Sequence, residues 1–456
     1  MPPVYDDDVI YDDEESSFDG DYDYEPILAF DRLDPPRIYG TMRESHQYQV
    51  MGIGITDTIF LIGHADGIEL NAPHQVINMQ ETVNLLEGNL RSPLMRGMLE
   101  AYNAGARDIW IVATAPMSEY IDFDGIDKTP RLVGIEEWDG MTFYEKYNER
   151  LQVTYELLSQ YEVIEILVPL EAPFHDAGGV NFFDDLVWNC YNRFKASGYP
   201  SFGIIGTQMG ACTPADIYAM RTSPIVQGMG DFSRESFLDY IEEEYGEDTR
   251  AEVVDDIPYK FGMIISGEAA IALPQSPIVY NGSVAAMAAG VLSSNLLTTG
   301  LTYQWLPNAI NPLGRDLTQD EIRELARNRI NPLVRKVKGK RGAPYNCVIA
   351  TDNVFMATGS DFWSVVAVRM TAKVIQEIKV LGDGAIGTIE YNNFKKNVKL
   401  MLDKLRSTNN IKDYSLNIWR DSPYVDPNQT VHVEISLTPY ATVREIYFRV
   451  RVGPGA

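Results

Sequence analysis

One stretch decides how the C-terminal part of this chain folds: YNNFKKNVKLMLDKLRS, residues 391–407. Its apolar side chains recur every three or four positions, as they do along one face of an α-helix. They are Phe394, Val398, Met401, Leu402 and Leu405. Basic residues fill most of the other positions, so the stretch predicts an amphipathic helix with a buried apolar face and an exposed basic face.

Three segments after this helix alternate apolar and polar residues with the period of two that β-strands show. They are YSLNIW (414–419), TVHVEISLT (430–438) and REIYFRVRV (444–452). The pattern predicts an α+β C-terminal domain with a small antiparallel sheet. Little chain follows the last strand, so it either completes a three-stranded sheet in its own chain or adds to a sheet in another molecule.

Upstream of this domain, strands and helices alternate. Strands are predicted at residues 59–63, 108–113, 163–169, 202–207 and 261–266. Helices are predicted at residues 80–88, 93–103, 142–160 and 181–196. Such alternation favours an α/β fold with a mainly parallel sheet and flanking helices.

Later helices carry their own signals. Residues 283–296 are rich in alanine, glycine and serine, which predicts a helix that lets a neighbouring backbone approach closely. Thr318 and Glu321 have the spacing of a capping box at the start of an amphipathic helix. A long helix is also predicted at residues 361–381.

These patterns divide the chain into three regions. Residues 1–50 form an acidic tail and an extended arm, because the first 25 residues hold eleven acids and no base, and LDPPRIYG (33–40) contains paired prolines. The first 25 residues are expected to be either disordered or docked on a partner. Residues 51–310 form the α/β domain, and residues 311–456 form the C-terminal domain.

The net charge of −27 is unevenly distributed. Residues 1–314 carry 16 basic and 50 acidic side chains, a net of −34, whereas residues 315–456 carry 22 basic and 15 acidic, a net of +7. This split predicts two differently charged faces. Direct nucleic-acid binding is not expected, because the field of the whole molecule repels phosphate.

Cysteine usage and hydropathy indicate a soluble protein made in a reducing cytosol. The three cysteines, Cys190, Cys212 and Cys347, form no CxxC motif that would indicate a zinc site or a disulfide framework. No apolar run approaches the roughly 20 residues that a membrane span needs. The acidic start MPPVYDDDVIYDDEE is unlike a basic signal peptide. No metal, cofactor or membrane insertion is expected.

The sequence contains no recognised catalytic motif. GxxxxGK[ST], GxSxG and GxGxxG are all absent. The enzyme alternative therefore rests on His175 and Asp176, which follow a predicted strand at the end where active sites form. A histidine on a surface loop is the commoner explanation for this pair.

Five segments, in order, resemble segments of the tail sheath proteins of contractile-tailed bacteriophages and related injection machines. They are GIGITDTIFLIGHADG (52–67) with the helices that follow it, SVAAMAAGVLSSNLLTTGLTYQWLPNAI (283–310), LTQDEIRELARNRINPLV (317–334), DFWSVVAVRMTAKVIQEIKV (361–380) and YNNFKKNVKLMLDKLR (391–406). The fourth segment resembles the family's helix with an aromatic and an arginine, here Trp363 and Arg369. Only about 25 residues (116–140) stand where larger relatives have an outer domain, which implies a compact subunit.

The resemblance implies a structural protein and not an enzyme. Such subunits stack in rings or a multi-start helix around an inner tail tube, with baseplate and tail terminator proteins at the ends. They are assembled in the host cytoplasm, become part of the virion tail, and contract to drive the tube through the host envelope for genome delivery. A phage-derived bacteriocin or a secretion-type injection system is the alternative setting.

The resemblance also implies two kinds of interface. Terminal arms add strands to a small sheet in neighbouring subunits, and the candidate residues are Arg37, Ile38, Tyr39, Ile446, Tyr447, Phe448, Arg449, Val450 and Arg451. The basic helix is expected to contact the tube through Lys395, Lys396, Lys399, Lys404 and Arg406.

Overall fold

The fold of the 456-residue chain is taken from a computed structural model. The structure describes residues 37–39, 57–120, 142–161, 165–172, 182–197, 200–206, 239, 242–243, 246, 261–275, 279–312, 316–337, 345–354, 364–383, 391–420, 431–439 and 445–447. Residues 1–25, His175, Asp176 and residues Phe448 to Val452 lie outside these ranges.

The described residues form strands and helices that mostly match the predicted ones. The strands are β1 (Arg37–Tyr39), β2 (Ile59–His64), β3 (His74–Gln75), β4 (Ile109–Ala115), β5 (Ile166–Pro169), β6 (Phe202–Ile205), β7 (Gly262–Ser266), β8 (Glu268–Ala272), β9 (Val279–Ser283), β10 (Ala309–Pro312), β11 (Ile330–Val337), β12 (Tyr345–Ile349), β13 (Ile411–Arg420), β14 (Val431–Pro439) and β15 (Glu445–Tyr447). The helices are α1 (Met79–Leu85), α2 (Pro93–Asn103), α3 (Phe143–Leu158), α4 (Phe182–Ser197), α5 (Ala285–Ser294), α6 (Gln319–Arg327), α7 (Val365–Asp383) and α8 (Tyr391–Ser407).

A large sheet confirms the predicted α/β class. Its strand order is β12-β11-β7-β6-β5-β2-β4-β3. The six inner strands are parallel, and the two edge strands β3 and β12 run antiparallel to their neighbours. Because β11 and β12 follow residue 310, the sheet continues across the domain limit predicted there; the domain limits themselves stay a prediction.

Each face of this sheet has its own hydrophobic core. On β2, Ile59 and Leu61 pack with α2 and α5, whereas Phe60 and Ile62 point to the other face and pack with α3 and α4. Strands covered on both sides are apolar throughout, which is why IFLIG shows no alternation.

The small-residue helix α5 packs closely on α2, as predicted. A Cβ added at Gly290 would lie 2.5 Å from the carbonyl oxygen of Ala101, so only glycine fits this crossing. The capping box of α6 is also confirmed. The Thr318 hydroxyl accepts a bond from the Glu321 amide at 3.3 Å, and the Glu321 carboxylate accepts one from the Thr318 amide at 2.8 Å.

A small antiparallel sheet with the order β10-β8-β9 was not predicted. Its strands read AINP, EAAIA and VYNGS, which are short and lack a clear apolar alternation. They form strands because they pair with one another and pack through Ile271 and Tyr280 against the core of α2 and α5.

The C-terminal region has a third core between α7, α8 and the hairpin β13–β14. The small antiparallel sheet predicted there is confirmed, but it has two strands in the described residues. Within the described residues, β15 pairs with β1 and not with this hairpin, so Glu445–Tyr447 do not form the third strand of the three-stranded alternative.

Candidate functional site

Helix α8 is amphipathic as predicted. Phe394, Val398 and Leu402 are buried against α7 and β13, and Met401 and Leu405 pack beside them. The Tyr391 hydroxyl donates to the carbonyl of Ile418 on β13 at 2.9 Å, which attaches the start of the helix to the hairpin. The apolar face is therefore fully used inside the subunit.

The opposite face of α8 is basic and exposed. Lys395, Lys396, Lys399 and Lys404 are exposed, and none forms an ion pair within the part of the chain that the structure describes. Arg406 differs from them. It lies 3.1 Å from Asp403 and 3.6 Å from Asp413, and its guanidinium lies 5.5 Å from the centre of the Tyr414 ring. The structure thus places four uncompensated lysines on one surface.

The hairpin β13–β14 offers sheet edges beside this helix. Its nine-residue register runs from Ile411↔Pro439 to Arg420↔Val431, with an irregularity between Ile411 and Asp413. Within the described residues neither strand has a further partner. Unpaired backbone groups along such edges are ready to accept an added strand.

The two arms predicted to be lent to neighbours pair with each other in the single chain. Strand β1 lies parallel to β15, with Arg37 opposite Glu445, Ile38 opposite Ile446 and Tyr39 opposite Tyr447. Among the described residues this ladder is separate from the other three sheets. A two-stranded ladder of three residues is too small to be stable alone, so it needs further strands.

A buried ion pair attaches the C-terminal helices to the large sheet. On α7, the Arg369 guanidinium donates through Nε to Asp57 Oδ2 at 2.8 Å, just before β2. Both residues are 5% exposed. The remaining guanidinium nitrogens lie 3.4–3.5 Å from the carbonyls of Asn295, Leu296 and Thr299, which follow α5.

A second ion pair lies one turn further along α7. Lys373 Nζ is 2.9 Å from Glu165 Oε1, and Glu165 Oε2 accepts the amide of Thr58 at 2.6 Å. Burial raises the pKa of Glu165, and the ammonium of Lys373 opposes this shift. Together the two pairs hold α7 across the amino-terminal ends of β2 and β5.

A crevice lies at the opposite end of the sheet, where β5 and β6 terminate and α/β enzymes bind ligands. Arg96 lies 3.0 Å from Glu171, and the Tyr280 hydroxyl donates to Glu100 at 2.6 Å. Burial raises the pKa of Glu100 to about 8, against the opposing effects of Tyr280 and Arg96. The described lining residues leave a cavity of about 20 Å³, enough for one water molecule.

His64 is buried near this crevice among Tyr120, Phe143 and Tyr147. Burial lowers its pKa to about 3, so the ring is neutral at physiological pH. The enzyme alternative itself depended on His175, which lies outside the described residues. Among those described, no cluster of three or more metal-ligating side chains occurs, and no helix is long and apolar enough to cross a membrane.

The ion pairs on α7 were missed by the sequence reasoning, although Arg369 was noted. Its partner Asp57 is 312 positions away, and Lys373 is 208 positions from Glu165. No local pattern connects residues that are so distant in the chain. The exposed Leu400 within the basic face was also missed, because it was not part of the apolar stripe.

No protein-family model matches the sequence, and no curated protein matches it significantly. Solved structures do match. The contracted sheath of the extracellular contractile injection system PVC superposes with a TM-score of 0.54 and 12% identity, over 91% of this chain and 97% of its own. A chain of the anti-feeding prophage baseplate gives a TM-score of 0.57 and 9% identity, over 91% and 99%.

A sheath tail protein from Listeria innocua gives a TM-score of 0.56 and 12% identity, over 87% of this chain and 95% of its own. At such identities the likeness is one of fold. The chain has the fold of contractile sheath proteins, which confirms the resemblance seen in the sequence.

Proposed function

We propose that this chain is a structural subunit of a contractile tail sheath, which polymerises around an inner tube and contracts to drive it through an envelope. The observation that carries this proposal is the agreement in fold over about nine-tenths of this chain and nearly the whole of the sheath proteins. The five ordered sequence segments support it independently.

The arms provide the links between subunits. Strands β1 and β15 form a ladder that needs further strands, and the hairpin β13–β14 has edges that accept them. In the sheath, the arms of neighbouring subunits add to this hairpin by strand addition. Arg37, Ile38, Tyr39, Ile446 and Tyr447 contribute the paired backbone. Phe448, Arg449, Val450 and Arg451 lie outside the described residues and stay sequence-based candidates for the same link.

The basic face of α8, with Lys395, Lys396, Lys399, Lys404 and Arg406, contacts the inner tube. Exposed ion pairs contribute only about 0–1 kcal/mol each and are screened by salt. A contact of this strength suits a sheath that holds the tube during assembly and releases it when the sheath contracts. Contraction is then a rigid-body movement of subunits in which the arms act as hinges.

The two ion pairs on α7 support rigid-body movement. They hold the C-terminal helices and hairpin to the large sheet, so that a subunit moves without coming apart. Baseplate proteins and a terminator cap the two ends of the assembly, which is built in the host cytoplasm and becomes part of a virion tail. A phage-derived injection system is the second setting, because the matching structures include such systems.

The decisive experiment is electron microscopy of the purified chain across a range of concentration and salt. Long sleeves or tubes with a repeating subunit are expected. A chain that stays monomeric under every condition would contradict the proposal. Sleeves that form around tubes from a phage tail, rather than from an injection particle, would identify the setting.

A further inference from the structure

An exposed leucine lies within the basic face of α8. The side chain of Leu400 is 55% exposed. Helical spacing places Lys396 one turn before it and Lys404 one turn after it on the same ridge. Leucine is not needed here for helix formation, because lysine, glutamine and glutamate are nearly as good helix formers.

The surroundings of Leu400 distinguish it from an ordinary exposed apolar residue. The apolar contacts of α8 with its own subunit are made by the opposite face, through Phe394, Val398 and Leu402. Lys396 and Lys404 have no ion pair within the described residues. Asp403, three residues after Leu400, is already paired with Arg406 at 3.1 Å. The chemistry left free is an apolar centre flanked by the positive charges of Lys396 and Lys404, and its complement is an acidic surface with an apolar hollow.

We propose that Leu400 anchors the contact between sheath and tube. The tube surface carries an apolar hollow that receives Leu400, with carboxylates about 6 Å to either side that meet Lys396 and Lys404. This inference rests on the proposed function, since it takes the tube as the partner of α8. The contact then has an ionic part that salt weakens and an apolar part that salt does not.

The ionic and apolar parts of this contact differ in strength and in role. Removing the rest of a half-exposed leucine side chain from water changes affinity by about fivefold to tenfold. The lysines attract the acidic surface from a distance and set the orientation, whereas Leu400 fixes the axial position of each subunit on the tube.

The test measures co-sedimentation of the full chain with inner tubes purified from the same particle, at about 50 mM and about 500 mM salt. Leu400→Ala is expected to weaken tube affinity about fivefold to tenfold at both salt concentrations. The double variant Lys396→Glu, Lys404→Glu is expected to lose binding at low salt. Leu400→Glu places a carboxylate in the acidic hollow and is expected to bind more weakly than Leu400→Ala.

The matched control is Leu157→Ala, which truncates a 40% exposed leucine on α3. It is expected to bind tubes like the wild type. If Leu400→Ala binds tubes like the control at both salt concentrations, Leu400 does not anchor the contact. Wild-type sleeves that fail to bind tubes would also contradict the proposal. Sleeve formation is also measured without tubes. If no sleeves form there, the proposed sheath function fails; if sleeves form but Leu400→Ala binds tubes like the control, only the anchor fails.

Discussion

Arg369 and Asp57 form a buried ion pair across 312 positions of the chain. Nε and Nη2 of the guanidinium lie 2.8 and 2.7 Å from the same carboxylate oxygen. The pair connects α7, which packs in the C-terminal core, with the residues just before β2, an inner strand of the large sheet. This contact therefore joins the C-terminal helices to the large sheet.

Replacing Arg369 by methionine is expected to destabilise the folded chain by about 3–5 kcal/mol, because it leaves the Asp57 carboxylate buried without its partner. Urea unfolding of dilute, unassembled protein measures the change. The control is Arg323→Met, which breaks a more exposed pair with Asp320 on α6. That change is expected to lower the free energy of unfolding by about 0–1 kcal/mol. Equal losses in both variants would contradict the role of the buried pair.

Replacing Glu100 by glutamine is expected to change how stability depends on pH. Burial raises the folded-state pKa of Glu100 from 4.5 to about 8. The stabilisation that Glu100 contributes is complete below its pKa in the unfolded chain, and it is lost as pH rises through its pKa in the folded chain. Glu100 should thus contribute a loss of roughly 1.4 kcal/mol of unfolding free energy per pH unit between about pH 5 and pH 8.

The Glu100→Gln variant keeps a neutral hydrogen-bond acceptor for Tyr280 and should lose the part of the slope that Glu100 contributes, whereas Glu171 and Glu165, whose pKa values burial also raises, remain. Free energies of unfolding measured from pH 5 to pH 9 provide the comparison. Glu156→Gln, on the exposed face of α3, is the control and should follow the wild type. Parallel curves for wild type and Glu100→Gln would show that Glu100 does not titrate in this range.

Replacing Gly290 by alanine is expected to destabilise the fold by about 1–3 kcal/mol, because the new methyl group overlaps the Ala101 carbonyl and forces α5 away from α2. Gly282→Ala is the control. An added Cβ there meets its nearest neighbour at 3.5 Å, so the change should be neutral or stabilise by up to about 1 kcal/mol. Thermal unfolding of both variants measures the difference.

Replacing Ile446 by proline is expected to abolish sleeve formation without unfolding the subunit. Proline removes the backbone N–H that β15 offers to a neighbouring strand. Ile446→Val keeps that group and should assemble normally. Deletion of residues 447–456 should act like the proline. Sleeves of normal length from the proline variant, seen by electron microscopy, would show that the arm does not link subunits.

Much of the fold could be predicted because its signals are local. The buried strands of the large sheet are short apolar runs between helices with regular spacing. Helix α2 and helix α8 have the predicted limits, since Ser92 caps the first and the apolar stripe of the second repeats without interruption. The capping box of α6 was readable from Thr318 and Glu321 alone.

Only part of the candidate interfaces could be predicted from the sequence. The basic face of α8 follows from sequence spacing, since residues three and four apart share one side of a helix. That Lys396 and Lys404 keep free charges while Arg406 is held by Asp403 and Asp413 depends on how the hairpin folds back on the helix. The exposure of Leu400, on which the proposed anchor rests, likewise depends on how α8 packs against the hairpin.

By itself, the sequence determined the type of most helices and of the buried strands in the large sheet, the two-sided burial of those strands, the charge split and the absence of recognised catalytic motifs. These depend on periodicity and composition, which act over a few residues. Only the tertiary structure decided that Asp57 meets Arg369, that β1 lies beside β15, and that EAAIA and VYNGS are strands. Such contacts depend on the closure of long loops and on burial by distant segments, and no local spacing encodes them.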